Sequence, residues 1–274
     1  MMKVGYIQFH PQFGEVEANR LRTLELIKQN ASADLLVLPE LCTTGYLFED
    51  KTELERLAEL IPEGKSTKAW IQVAKDTDTY LVAGICEKTK DGKFYNSAVL
   101  IGPEGYIDTY RKIHLFNTEK DFFSSGEGPF KIYDIGITKL GMIICFDWAF
   151  PESTRILALH GAEIICHPSN LVLSFAQKAM LARSIENRVY TITANRIGDD
   201  IRPSSQLSFT GESQVTSPKM EILIQASADK EEVGIVEINP SLAQNKMITP
   251  NNHIFLDRKV ELYQPLLNKN GLEK

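Results

Sequence analysis

The sequence predicts one continuous α/β domain, and three observations carry that prediction. Strand-like and helix-like segments alternate from end to end. No internal repeat, low-complexity tract or Pro/Ser linker divides the chain. Its 274 residues, 43% hydrophobic and 24% charged, are enough to bury one sizeable core.

Taken in order, KVGYIQF reads as a strand, and Val16 to Ala31 as a helix with Leu21, Leu24 and Ile27 on one face. DLLVLPEL is a buried strand. ELERLAELI and STKAWIQVAKDT are helices, the second with Ser66 as its predicted N-cap. TYLVAGICEK and FYNSAVLIG are strands joined through KDGK, a hairpin signal, and YIDTYRK follows the GPEG turn. After a polar loop from Ile113 to Pro129 the alternation resumes. LGMIIC, a helix through STRILALHGA, EIICHPS, a helix from about Phe175 to Arg188, and VYTITANRI come in turn. LSFTGESQVTS, EILIQAS and EVGIVEIN add late strands. Residues 1–250 form the expected domain and 251–274 a tail whose Ile254, Phe255, Leu256, Leu262 and Tyr263 need a cover, such as a second subunit.

The formal net charge of -6 and scattered basic residues argue against nucleic acid and anionic membrane as partners. The start lacks the long apolar region of a signal peptide, and no run of about 18 apolar residues occurs. The four cysteines, Cys42, Cys86, Cys145 and Cys166, are far apart and each lies in or beside an apolar run, which fits a reducing cytoplasm.

Three polar residues sit where apolar strands end: Glu40 after DLLVLP, Lys112 after TYR and Cys145 after LGMII. Strand ends are where α/β proteins collect ligands and catalytic groups. Singly, each has an ordinary reading. Most free cysteines are small buried hydrophobes, Glu40 could be a surface residue, and Lys112 could face solvent. The functional readings are a thiol near a helix N-terminus that Pro151 begins, a general base with a raised pKa, and a cation for negative charge developing on oxygen. Position alone leaves both readings open. Cys166-His167 with His160 lacks zinc spacing. His114 is expected to be a structural hydrogen-bonding residue, and Arg183, Glu186, Asn187 and Arg188 a polar brace.

LLVLPELCTTGY, YRKIHLF and GMIICFDWAFPESTRILALHGAEIICHPSNL, in that order, resemble the three signature segments of the nitrilase, or carbon-nitrogen hydrolase, superfamily. KVGYIQFHP, RSIENRVYTITANRIG and IFLDRKVELY extend the similarity over nearly the whole chain. The resemblance implies a four-layer α-β-β-α sandwich, and a homodimer or larger even oligomer that exchanges C-terminal tails. It implies Glu40 as general base, Lys112 as oxyanion-stabilising cation, Cys145 as nucleophile and Glu119 as the second glutamate. The Phe146 N–H would join Lys112 in holding the oxyanion, and no metal or cofactor is implied. Tyr46, His167 and Asn170, on loops beside these groups, are expected to line the pocket.

The implied activity is hydrolysis of a non-peptide C–N bond in a small amide or carbamoyl compound. The alternatives are a nitrilase acting on an aliphatic nitrile and, in another class, a catalytically idle binding module. One departure bears on specificity. Many amidase-like relatives carry an arginine four residues after the nucleophile; here Ala149 stands there, after Trp148. A small or apolar acyl group is thereby favoured over an acidic one.

Overall fold

The computed structural model describes residues 1–268. Met2, Val4 and Tyr6 of strand β1 (Met2–Gln8) point to one core, and Ile7 with the following Phe9 to another. In β2 (Leu35–Val37), Leu35 and Val37 share the first core, while Leu36 and the following Leu38 share the second. Side chains alternate along a strand, so a run apolar at every position must be covered on both faces.

These strands belong to one of two six-stranded sheets. In the first, β1, β2 and β3 (Tyr80–Lys88) run parallel, flanked by antiparallel β4 (Phe94–Gly102) and β5 (Gly105–Arg111) on one side and β14 (Glu232–Ile238) on the other. The second has the order β13 (Ile222–Gln225), β12 (Gln214–Thr216), β9 (Tyr190–Ala194), β8 (Ile164–Pro168), β7 (Lys139–Met142), β6 (Ile132–Asp134), and β7, β8 and β9 are its parallel centre. A short hairpin of β10 (Asp199–Ile201) and β11 (Gln206–Ser208) stands apart.

Parallel neighbours need crossover connections. Helices α1 (Val16–Gln29), α2 (Lys51–Leu57) and α3 (Lys65–Thr77) supply them in the first half, and α5 (Pro151–Leu159) and α6 (Ala176–Asn187) in the second. One core lies between the sheets, one under α1 and α3, and one under α5 and α6. The result is the expected α-β-β-α sandwich in one domain. The ends of β2, β5, β7 and β8 deliver the loops that carry Glu40, Lys112, Cys145 and Asn170.

Several local expectations are corrected. Leu21 is 55% exposed; α1 buries Asn19, Thr23, Leu26 and Ile27, and Trp70 Nε1 of α3 donates to Thr23 Oγ1 at 2.9 Å. ELERLAELI stops being helical at Leu57, because Glu59 bridges to Glu87 of β3. Ser66 is not an N-cap. Gly64 takes that position, and the Glu59 carboxylate accepts from Ser66 N at 2.8 Å and from its hydroxyl. LGMIIC leaves the ladder at Met142, and LSFTGESQVTS is split between β11 and β12.

The tail expectation extends past the described residues, since 269–274 lie outside them. In the described part Phe255 packs against the α5–α6 core, while Leu256, Leu262, Leu266 and Leu267 are exposed. No described helix is long and apolar enough to cross a membrane, and the four cysteines are unpaired.

Candidate active site

Beyond β2, Leu38 N still donates to Val82 O at 2.8 Å; Pro39 then ends the ladder. The chain passes over Gly84 of β3, where a Cβ would lie 2.4 Å from Glu40 Cα, so only glycine admits this approach. Glu40 is thereby turned into the interior, fully buried. Its Oε1 accepts from Lys112 Nζ and Asn96 Nδ2, both at 2.7 Å, while Oε2 has no partner.

Lys112 follows β5 and is pinned by its backbone: its N donates to Asn96 O, and its O accepts from Gly126 N, each at 2.8 Å. Nζ donates to Glu40 Oε1 and to Glu119 Oε1, both at 2.7 Å. An ammonium has three donors, so one is left uncommitted. Glu119 opens the single-turn helix α4 (Glu119–Phe122). Its Oε1 also accepts from Tyr46 Oη at 2.7 Å, and its Oε2 from Phe116 N at 3.1 Å. Both oxygens are therefore occupied, as a group that holds the lysine in place requires.

Cys145 begins a 3-10 turn, Cys145–Ala149, with φ +40°, in the left-handed region. For a non-glycine residue that conformation costs on the order of 1–3 kcal/mol and must be held by its surroundings. Asp147 does much of the holding. Its Oδ2 accepts from Ile144 N and Tyr110 Oη at 2.8 Å, and its Oδ1 from His114 Nδ1 at 2.7 Å. His114 in turn stacks on Phe150 at 3.6 Å between ring centroids. Behind the cysteine, His167 Nε2 lies 2.9 Å from Cys145 O and Nδ1 lies 3.1 Å from Thr193 Oγ1. A carbonyl only accepts, so Nε2 carries the proton, and in the neutral ring Nδ1 accepts from Thr193.

Burial sets the charge state. It pushes the Cys145 thiol well above its ordinary pKa, with the Glu40 carboxylate adding to the rise and Lys112 opposing it. The thiolate-favouring helix N-terminus is thus outweighed, and the resting sulfur is a thiol. Burial also raises Glu40, helped by Glu119 and opposed by Lys112 and Asn96. For Lys112, burial favours loss of the proton, yet Glu119 and Glu40 outweigh it and hold the ammonium above the usual lysine value. His167 is lowered by burial to about 4 and is neutral near pH 7.

The structure brings Glu40, Lys112, Glu119 and Cys145 into one buried cluster. Phe146 and Asn170 wall the cleft onto which Cys145 opens. Phe146 stands within the first turn after Cys145, where backbone N–H groups lack intrahelical partners. Asn170 Nδ2 donates to Glu40 O at 2.9 Å, tying the loop after β8 to that after β2.

Two expected lining residues stand elsewhere. Tyr46 directs its hydroxyl to Glu119, and His167 is fully buried with both nitrogens committed. His160 is exposed at the end of α5, and among the described residues no His/Cys/Asp/Glu group could hold a metal. Arg183 donates from Nε to Trp148 O at 3.1 Å and from a terminal nitrogen to Glu186 at 2.8 Å, part of the expected brace. Asn96, Tyr110 and Asp147 complete the site without a sequence motif of their own. A polar pair, Asn96-Ser97, inside the apolar run FYNSAVLIG was the available signal for the first.

Residues 3–246 match the carbon-nitrogen hydrolase family. A nitrilase of Pyrococcus abyssi is 49% identical over 265 residues, spanning 96% of this chain and 99% of its own. An omega-amidase of Homo sapiens is 30% identical over 267 residues, 92% of this chain and 93% of its own. Among solved structures, a carbon-nitrogen hydrolase from Helicobacter pylori superposes with a TM-score of 0.89 at 26% identity, covering 98% of this chain and 99% of that one. A match of this extent, on a sandwich of the same architecture, settles the family: the chain belongs to the carbon-nitrogen hydrolases and is an enzyme of the nitrilase superfamily.

Proposed function

We propose that the protein hydrolyses the C–N bond of a small amide or carbamoyl compound through a thioester on Cys145. Glu40 removes the thiol proton through Oε2 as sulfur attacks the carbonyl carbon. The third Nζ–H of Lys112 and the N–H of Phe146 receive the oxyanion. The tetrahedral adduct collapses, Glu40 returns its proton to the nitrogen, and ammonia or an amine leaves. Water, deprotonated by Glu40, then attacks the thioester and releases the carboxylic acid and the thiol. Glu119, held by Tyr46, positions Lys112.

The observation that carries this reading is the unpartnered Oε2 of Glu40, a buried acceptor in the cluster whose charge raises the Cys145 pKa. A second acceptor, Asn170 Oδ1, is also buried without a partner, on a residue that lines the cleft. An amide nitrogen brings N–H donors to such acceptors; a nitrile brings none. The second reading, hydrolysis of a small nitrile to acid and ammonia, is favoured by the 49% identity to a protein named nitrilase.

The test is ammonia release from butyramide and butyronitrile, with mass detection of an acyl adduct on Cys145. Cys145→Ala should be silent with both. Release by that variant at the wild-type rate would refute the covalent route, and silence of wild type across a broad panel of amides would refute the proposed substrate class.

The setting of this chemistry is part of the proposal. The four unpaired cysteines support a reducing cytoplasm, and the exposed Leu256, Leu262, Leu266 and Leu267 support a tail from residue 251 covered by a second copy in a homodimer. Light scattering on the full chain should read a dimer or larger even oligomer, and a monomer would refute that arrangement.

A further inference from the structure

The cleft above Cys145 has a volume of only about 10 Å3, far below the roughly 300–1,000 Å3 of sites that hold drug-sized molecules. Apart from Cys145 and Asn170, its wall is Phe116, Phe146, Trp148, Leu171, Val172 and Leu173, all apolar. Phe146 tilts against Phe116 at 5.1 Å between centroids, and Trp148 meets Phe146 edge-on at 6.3 Å. The aromatic wall is thus braced by its own contacts.

The neighbouring cations are already engaged. Lys112 lies between the carboxylates of Glu40 and Glu119. Arg183, beneath Trp148, is held by the Trp148 carbonyl and by Glu186. An acyl group ending in a carboxylate would enter this cleft with no counterion, beside two carboxylates that share one ammonium. Desolvating an unpaired carboxylate is among the most unfavourable steps a binding site can ask of a ligand.

We infer that this site selects a short acyl group that bears no charge and rejects one that carries a carboxylate, with Phe146, Trp148 and Leu173 as specificity-determining residues. The inference rests on Cys145 as the attacking group. It sets the substrate class apart from any amide whose far end is an acid.

A pair of isosteric reagents tests it without knowledge of the natural substrate. Iodoacetamide and iodoacetate place the same electrophilic carbon on the thiol and differ in one charge. Alkylation of Cys145 is followed by intact mass, with Cys145→Ala giving the background, and glutathione gives the intrinsic ratio of the two reagents.

The expected neutral-to-anionic rate ratio at Cys145 exceeds that of glutathione about tenfold or more. Leu173→Arg, which places a cation on a partly exposed wall position, should bring the ratio back toward glutathione. Butyramide over succinamate should show the same order in kcat/KM. Labelling of Cys145 at the glutathione ratio overturns the inference and leaves the proposed chemistry standing. No labelling by either reagent refutes Cys145 as the nucleophile, and the inference with it.

Discussion

His167 allows a stability prediction to be worked from the site itself. Its imidazole is fully buried behind Cys145 and its pKa is lowered by burial from 6.5 to about 4. The unfolded chain therefore takes up a proton, as pH falls from 6.5 toward 4, that the folded chain refuses. Stability from this group is complete above the unfolded value and is lost through that window. At about 1.4 kcal/mol per pKa unit the loss relative to pH 7 is about 2 kcal/mol at pH 5 and about 3 kcal/mol at pH 4.

Other groups titrate in the same range, so the quantity to measure is a difference. Urea unfolding is followed at pH 7, 5 and 4 for wild type and for His167→Gln, whose amide can still donate to the Cys145 carbonyl. The variant should be less sensitive to acid by those amounts, whatever its stability at pH 7. Equal pH-dependence in the two proteins would refute the claim that a neutral, desolvated imidazole supports Cys145.

Three further outcomes are expected. In the proposed mechanism Glu40 must be ionised to take the proton, and burial raises its pKa above the ordinary 4.5. Initial-rate kcat/KM after a brief pH jump should therefore fall on the acid side with an inflection above that value; a profile flat down to pH 4.5 would contradict it. Tyr46→Phe removes a hydrogen bond to the Glu119 carboxylate, an interaction of about 1.5–3 kcal/mol. It should lower kcat about tenfold or more with KM nearly unchanged, and a kcat within twofold of wild type would show that Tyr46 does not position the cluster. Gly84→Ala places a methyl against the Glu40 backbone; a displacement near 1 Å typically costs about a hundredfold. Steady-state kcat should show it while circular dichroism is unchanged, and an unaltered kcat would mean that the loop yields without moving the base.

The alternation of strands and helices was legible because it rests on local pattern, whereas the four layers were implied only by the resemblance. Apolar runs announced buried strands, and the polar residues at their ends marked candidate sites. Contacts between distant segments were not legible. On α1, Leu21, Leu24, Leu26 and Ile27 offer competing stripes, and packing of Trp70 against Thr23 leaves Leu21 outside. Capping is usually local, which points to Ser66, whereas here the oxygen comes from Glu59 across a turn.

Tyr46 was expected on the pocket wall. The loop that carries it is set by Asp200, whose carboxylate accepts from Tyr46 N at 2.9 Å and Leu47 N at 3.0 Å across more than 150 residues of sequence. The fourfold hold of Asp147, by Ile144 N, Tyr110, His114 Nδ1 and His114 N, likewise joins segments that no spacing rule connects.

The bond from Asn170 to the Glu40 carbonyl and the bonds from Tyr110 and His114 to Asp147 all pass between one sheet and the other. Glu40 and Lys112 ride on the first sheet, Cys145 on the second. Turnover therefore gauges the alignment of two slabs, and a chain that kept every strand but let the slabs slide by one residue would look folded to circular dichroism and be silent in an ammonia assay. Heat, acid or a careless core substitution should extinguish activity at that seam before it melts either sheet.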